Sequence, residues 1–235
     1  MGHYDASGIK VLDRAVSIMM TVAHRPHSLT ELSEATELPR ATAHRLATAL
    51  EAHRILARTA DGKWAIGPTL TSIGARSKNQ LIDAATPTMS ALMEQTGESV
   101  QLYQLTGTSR TCIAALEPSS GLQNTVPIGS RMPLTAGSAA KIFLAYGSPE
   151  LRAAILPEAA FDAAALDEAA RRGWADSVGE REVGLSSLSA PVHNSAGEFL
   201  AVLSLSGVSE RLRPSPGELW GEEILRCARG LAQAL

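Results

Sequence analysis

The sequence contains little of what several classes of protein depend on. Cys112 and Cys227 are its only two cysteines among 235 residues, which excludes a disulfide scaffold and a cysteine-based metal site and fits a reducing cytoplasm. No apolar run has the length of a membrane span, and the amino terminus lacks a basic-then-apolar signal pattern. We therefore expect a cytoplasmic protein without a metal, a cofactor or a membrane partner.

A strong net charge of one sign is also missing, but the charge is unevenly distributed. Residues 1–76 hold nine Lys or Arg against seven acids, net +2, and residues 77–235 hold twelve against seventeen, net −5. A mildly basic head on an acidic body fits a DNA-binding domain fused to a domain with another task. The length is natural for two domains, so we predict a DNA-binding domain with the start of a linker helix over 1–76 and a second domain over 77–235.

Residues 28–56 predict two short helices joined by a tight turn. Ser28 and Glu31 have the spacing of a capping box, and Pro39 suits the first position of the second helix. The second helix then has an apolar stripe and an opposite face. The stripe is Ala43, Leu46, Ala47 and Leu50, and the opposite face is Ala41, His44, Arg45 and Thr48. A short helix with a dry back and a polar front suits the major groove of DNA, so we predict a helix-turn-helix.

The flanking residues extend this prediction to a winged helix. Residues 55–66 have two short apolar runs around Asp61–Gly62, which predicts a hairpin, or wing. An opening helix should bury Leu12, Ala15, Val16, Met19, Val22 and Ala23, and the next helix should bury Leu29, Leu32 and Ala35. The predicted DNA-binding residues are Arg40, Ala41, Thr42, His44, Arg45 and Thr48, with Arg58 and Lys63 meeting phosphates from the wing. The alternative, a helical hairpin packed on something else, does not need its basic residues exposed.

The second half alternates strand and helix patterns. Strands are predicted over 98–106, 110–117, 174–177, 185–192 and 199–206, and helices over 136–146, 161–172 and 218–235. Leu70, Ile73 and Leu81 predict a linking helix, with a break at Pro87. The fold class is therefore α+β, with an antiparallel-rich sheet flanked by helices. Two pairs of serines each share one face of a strand, which fits either the wet side of the sheet or the wall of a ligand site.

Catalytic patterns are weak in this half. His193 lies in a predicted turn and is interpreted as a solvated loop residue, and Cys112 is interpreted as core. Neither belongs to a nucleophile–base pattern, a metal-ligand spacing or a phosphate-binding glycine loop. Three classes stay open: a ligand-gated DNA-binding regulator, a metabolite enzyme fused to a DNA-binding domain, and a dimeric DNA-binding protein without an effector.

Four segments in order resemble the IclR family of bacterial transcription regulators. LPRATAHRLATAL followed by GKWAIGPTL is similar to the family's DNA-binding half. RMPLTAGSAAKIFLA, RRGWADSVGEREVGLSSLSAPV and FLAVLSLSGVSERL are similar to its effector-binding domain. The resemblance implies a double-stranded DNA operator, a small-molecule effector, and a homodimer or dimer of dimers. It is closest to regulators of amino-acid biosynthesis, leucine especially.

The resemblance also implies which residues form the effector pocket. Matched position by position, they are Ser138, Ala139, Ser177, Ser187, Ser204 and Ser206. Ser177 stands where relatives have an acid and Ser187 where they have a cysteine, so the pocket should be polar and nearly free of charge. Such a pocket suits an amino acid or a small carboxylate, which the backbone around Gly137 at a helix start could hold. Glu180 is expected to be structural or to lie at the rim.

Overall fold

A computed structural model of the chain describes residues 7–76, 79–233 and 235. The chain divides into two compact units between residues 78 and 79. The predicted boundary after residue 76 falls on residues 77 and 78, which lie outside the described residues. Within the described ranges, no helix is long and apolar enough to cross a membrane.

The first unit has the order of elements that the sequence predicts. Its helices are α1 (Lys10–His24), α2 (Leu29–Thr36), α3 (Arg40–Ala52) and α4 (Pro68–Arg76), and its strands are β1 (Leu56–Arg58) and β2 (Trp64–Ile66). The capping box is confirmed, because the Ser28 backbone N–H donates to Glu31 Oε2 at 2.8 Å and the Glu31 N–H donates to Ser28 Oγ at 3.3 Å. Pro39 is the N-cap of α3 rather than its first helical residue.

The core of the first unit lies where helices α1–α3 meet the β1–β2 hairpin. Its buried members are Ile18, Val22, Leu32, Ala47, Leu56 and Trp64. The predicted buried face of α1 was partly wrong, since Leu12 and Ala23 are exposed and Ile18 is fully buried. Ile18 and Val22 lie four residues apart, so they set a stripe that leaves Leu12 and Ala23 to one side. Ala35, near the end of α2, is also exposed rather than buried.

The second unit is a six-stranded antiparallel sheet with helices on both faces. Its strands are β3 (Ser99–Thr106), β4 (Ser109–Leu116), β5 (Arg131–Pro133), β6 (Ala175–Val178), β7 (Leu185–His193) and β8 (Phe199–Val208), in the order β5-β4-β3-β8-β7-β6. Its helices are α5 (Gln80–Thr96), α6 (Ser138–Tyr146), α7 (Pro149–Ile155), α8 (Ala163–Arg172) and α9 (Pro216–Ala232). The α+β fold class is confirmed. The short elements β5 and α7 were not predicted.

Strand alternation divides the second unit into two cores. On β8, Leu203 and Leu205 belong to the core under α5 and α9. Val202, on the opposite face of the same strand, belongs to the core under α6 and α8. Ser204 and Ser206 therefore face the α6 side of the sheet.

Helix α5 continues through Pro87, so the predicted break was wrong. Pro87 is exposed while Leu81, Ala85, Met89 and Leu92 are buried, so packing of the apolar stripe outweighs one missing hydrogen bond that faces water.

Near the start of β3, the buried carboxylate of Glu98 accepts two hydrogen bonds from the Arg211 guanidinium, each 2.6 Å long.

Candidate functional site

The α3 helix presents the predicted reading face to solvent. Ala41, His44, Arg45 and Thr48 are exposed, while Ala43 and Ala47 on the opposite side are fully buried. Thr42 and Leu46 are half-buried. The Arg40 guanidinium donates a hydrogen bond to Thr30 Oγ1 at 3.3 Å, which fixes it at the start of the helix. The helix thus has a surface of the right shape and polarity for a DNA groove.

The hairpin has the predicted register but uses its two cations differently. Its strands pair antiparallel, and Gly62 makes the turn with a φ of +78°. Arg58 stacks over the buried Trp64 ring at 3.6 Å and donates a hydrogen bond to the Gly62 carbonyl at 2.8 Å. Among the described residues, the Lys63 ammonium forms its ion pair with the neighbouring Asp61, at 3.1 Å. Arg58 therefore braces the hairpin, whereas Lys63 is held by an exposed ion pair that DNA can replace.

The second unit contains a cavity between the sheet and the start of α6. Its empty space is about 360 Å³, including an open mouth. The wall contains every residue that the sequence indicated for an effector: Ser138, Ala139, Ser177, Ser187, Ser204 and Ser206. It also contains Gly137, whose backbone was expected to hold a ligand carboxylate. The remaining wall residues, which sequence reasoning did not include, are Tyr103, Arg110, Asn124, Arg181 and Leu185. The structure thus brings the six predicted residues together, and their binding of an effector stays a prediction.

Hydrogen bonds join three serines of this wall and the neighbouring Ser189 into a chain. Ser138 Oγ lies 2.8 Å from Ser187 Oγ and 2.7 Å from Ser189 Oγ. Ser189 Oγ in turn donates to Ser204 Oγ at 3.0 Å. Ser138, Ser189 and Ser204 are all buried, so this face of the sheet is not the wet side. Helix α6 covers it and leaves a small polar cavity beneath.

The expectation that the cavity is nearly free of charge was wrong. Arg110 on β4 is 97% buried, with an exposed fraction of 3%, and its guanidinium lines the wall. Its Nη1 donates to the Ala136 carbonyl at 3.1 Å, and its Nε has no hydrogen-bond partner among the described residues. Burial lowers the pKa of Arg110 to about 10, so the group is still a cation near neutral pH. The cavity therefore has a buried positive charge.

The alternation of side chains along β4 could have predicted that Arg110 is buried. Arg110 precedes Cys112 by two residues, so both side chains project to the same face of the strand. Cys112 was interpreted as core, and it is fully buried. The same face therefore had to contain a buried cation, which is a strong signal for a binding site because isolated charges are costly to bury.

A second arginine approaches the cavity from the loop between β6 and β7. Arg181 is exposed, and its guanidinium donates to Asn124 Oδ1 at 3.3 Å and to Met132 Sδ at 3.2 Å. Asn124 also donates to Ser206 Oγ at 2.8 Å, so it links Arg181 to the serine wall. Neither Arg181 nor Arg110 forms a salt bridge with any carboxylate in the described part of the chain.

Glu180, next to Arg181, has a structural position. Its Oε2 accepts the Gly137 backbone N–H at 3.1 Å, and its Oε1 forms an ion pair with Lys141. It therefore caps the start of α6 and occupies one of the backbone groups expected to hold a ligand carboxylate. The N–H groups of Ser138 and Ala139 belong to the same first helical turn and line the cavity.

The surroundings of His193 and Cys112 do not favour catalysis. His193 lies on β7 rather than in a loop, and its ring packs against Tyr146 and Phe199 at 5.6 and 5.8 Å. The loop assignment was therefore wrong, because β7 extends one residue further than predicted. Burial raises the pKa of the Cys112 thiol to about 12, which makes it a poor nucleophile. No group of three or more potential metal ligands occurs among the described residues.

Comparisons with known proteins cover both units. The family pattern of the IclR helix-turn-helix domain matches residues 11–60, and that of the C-terminal part of IclR bacterial transcriptional regulators matches residues 74–233. The transcriptional regulator BhcR of Paracoccus denitrificans is 28% identical over 99% of this chain and 89% of its own length. The transcriptional repressor AllR of Escherichia coli K12 is 28% identical over 97% of this chain and 91% of its own.

Solved structures have the same fold. IclR of Thermotoga maritima superposes with a TM-score of 0.74 at 21% identity, covering 96% of this chain and 98% of that one. An IclR homolog from Microbacterium hydrocarbonoxydans, solved in complex with 4-hydroxybenzoate, also has a TM-score of 0.74, at 24% identity and the same coverage. With its family patterns spanning both units and a fold shared with these structures, the chain belongs to the IclR family of DNA-binding bacterial transcription regulators.

Proposed function

We propose that this protein is a sequence-specific repressor whose affinity for its operator changes when a small carboxylate enters the cavity of the second unit. The observation that carries the effector class is Arg110, a buried guanidinium without a carboxylate partner among the described residues. A buried unpaired cation is costly, and an anionic ligand that reaches it gains short charge-assisted hydrogen bonds. The serine hydroxyls and the first turn of α6 supply further donors.

The charge of the wall favours acids over amino acids. Among the described residues, two guanidiniums and no carboxylate side chain line the cavity, so a ligand ammonium group would meet like charge without a carboxylate to pair with. The family resemblance to regulators of amino-acid biosynthesis, leucine especially, therefore points to keto-acid precursors before leucine itself. The homolog crystallised with 4-hydroxybenzoate, which carries a carboxylate, supports the same ligand class.

On DNA, we propose that α3 enters the major groove while the β1–β2 hairpin contacts phosphates. Arg40 anchors a phosphate at the start of α3, as Arg58 and Lys63 do on the hairpin. The groove-facing set is Ala41, Thr42, His44, Arg45 and Thr48. Two copies would place two α3 helices one or more helical turns apart, about 34 Å per turn. The exposed apolar side chains of Ile9, Val11 and Leu12 on and just before α1 support a second copy of the chain. An effector then acts by binding two arrangements of the homodimer, or dimer of dimers, unequally.

The test uses the full chain, the DNA upstream of its own gene, and a series of acids in a gel-shift titration. Pyruvate, 4-hydroxybenzoate and the keto acid of leucine are compared with leucine. We expect at least one acid to change operator affinity and leucine to have less effect. Arg110→Gln should remove that response, and Arg213→Gln, which deletes an exposed arginine outside the cavity, should keep it.

Two outcomes would contradict the proposal. Operator affinity that ignores every acid would favour a dimeric DNA-binding protein without an effector. Chemical conversion of an acid by the purified protein would favour an enzyme fused to a DNA-binding domain.

A further inference from the structure

The two arginines of the cavity differ in how firmly they are held. Arg110 is buried, and its Nη1 is fixed by the Ala136 carbonyl. Arg181 is exposed and lies on the loop of residues 179–184, which has glycines in the left-handed region at both ends, with φ of +71° and +83°. One cation therefore belongs to the rigid wall and the other to the rim.

The hydrogen-bond acceptors that Arg181 contacts are weaker than a carboxylate would be. Its contacts are a side-chain amide oxygen and a thioether sulfur, both neutral. A thioether is a weak acceptor, and an amide oxygen gives a guanidinium much less than a carboxylate does. The carboxylate beside it, Glu180, is turned away to the Gly137 N–H and Lys141. Nothing among the described residues neutralises Arg181.

The two positive charges at this cavity are best matched by a ligand with two negative groups. Arg110 and Arg181 line the same small cavity, so a single small molecule can contact both. A monocarboxylate satisfies one guanidinium and leaves the other with its neutral partners. A dicarboxylate satisfies both, with the fixed arginine binding one end and the rim arginine the other.

Building on the proposed function, we infer that the effector is a short dicarboxylate and that Arg181 is the residue that selects it. The Arg110 guanidinium and the first turn of α6 bind one carboxylate. The second carboxylate takes the place of Asn124 and Met132 as the acceptor for Arg181. Release by Arg181 frees Asn124 Oδ1, while Asn124 Nδ2 can keep its hydrogen bond to Ser206 Oγ.

Succinate and its monoamide, succinamate, test this directly because they share a shape and differ by one charge. Calorimetry on the full chain should show succinate binding about tenfold more tightly than succinamate, as expected for one charge-assisted hydrogen-bonded contact. Arg181→Gln should lower succinate affinity about tenfold and thus bring the two ligands to within about twofold of each other. Arg213→Gln removes the same charge from the surface outside the cavity and should retain the native preference.

The inference is overturned if the native protein binds both ligands equally, if it binds neither, or if Arg181→Gln keeps the preference for succinate. A parallel gel shift separates this from the proposed function. Operator affinity that responds to monocarboxylates, without a preference for succinate, keeps the regulator and discards the dicarboxylate. A clear succinate preference without any effect on operator binding keeps the dicarboxylate ligand and discards the effector-controlled regulator.

Discussion

At the residue scale, the two arginines of α3 differ in what they leave available to DNA. The Arg40 guanidinium is already hydrogen-bonded to Thr30, whereas the exposed Arg45 has no hydrogen-bond partner in the described part of the chain. Arg45 therefore loses nothing within the protein when it contacts a base edge or a phosphate.

We expect Arg45→Ala to weaken operator binding by about 1–3 kcal/mol and to leave the fold intact. Gel-shift titration of the operator measures the loss, and unfolding by denaturant checks the fold. Arg171→Ala, which removes an exposed arginine paired with Glu168 in the second unit, is the charge-matched control. Full operator affinity in the Arg45 variant would mean that α3 does not enter the groove.

Residue patterns paired the serines of two strands, the family resemblance assigned them to a pocket, and neither gave the charge of that pocket. Strand alternation placed Ser204 with Ser206, and Ser187 with Ser189, because it needs only the sequence of one strand. Whether Arg110 turns inward depends on the Ala136 carbonyl, 26 residues later, and on the covering helix α6. The pattern of β4 places Arg110 on the same face as Cys112, but it does not show that the guanidinium meets the cavity, so a pocket nearly free of charge was predicted.

At the scale of elements, the hairpin divides its two cations between structure and recognition. Arg58 stacks on Trp64 and ties down the Gly62 carbonyl, whereas Lys63 extends beside Asp61. Both cations were predicted to contact phosphates. Arg58 also stabilises the hairpin, whereas Lys63 forms an exposed ion pair that a phosphate can replace.

Lys63→Ala should weaken specific and non-specific DNA binding alike and reduce the slope of log K against log salt by about 1, since one phosphate contact is lost. Fluorescence anisotropy over a salt series measures the slope for operator and random DNA. Arg58→Lys is the companion variant: it keeps the charge but loses the planar group that stacks on Trp64. A loss limited to the operator in the Lys63 variant would show that the hairpin reads bases.

Helix α5 shows why element boundaries were less predictable than element types. A proline in the middle of a helical pattern normally predicts a break, and the sequence around Pro87 gives no local reason against one. The reason is tertiary, because the stripe from Leu81 to Leu92 is buried against the sheet and α9. Strands β3, β4, β7 and β8, each of eight or more residues, were placed to within two residues at either end.

At the scale of the whole molecule, each unit has a core of its own. Leu32 is fully buried in the first unit, while the Glu98–Arg211 pair lies in the second. Because the division falls between residues 78 and 79, we expect the two units to unfold in separate transitions.

Leu32→Ala should destabilise only the transition of the first unit, by about 2–5 kcal/mol, because it leaves a cavity in the core. Arg211→Met should destabilise only that of the second, by about 2–4 kcal/mol, because Glu98 stays buried without its partner while Arg211 itself is partly exposed. Scanning calorimetry of the full chain resolves the transitions. Adding Glu98→Gln to Arg211→Met should recover part of the loss. A single transition shifted by both variants would contradict separate units.

The chain of serine hydroxyls in the cavity has a consequence for how new effector preferences arise. Each hydroxyl carries one proton and two lone pairs and rotates freely, and either oxygen of the Ser138–Ser189 pair can donate. The proton order along Ser138, Ser189 and Ser204 can therefore run in either direction. A wall of this kind accepts a carbonyl or a hydroxyl at the same spot without any side chain being replaced. Discrimination by ligand charge then rests on the two arginines, so exchanging the arginine at the rim would redirect the protein to another metabolite while the scaffold stays unchanged.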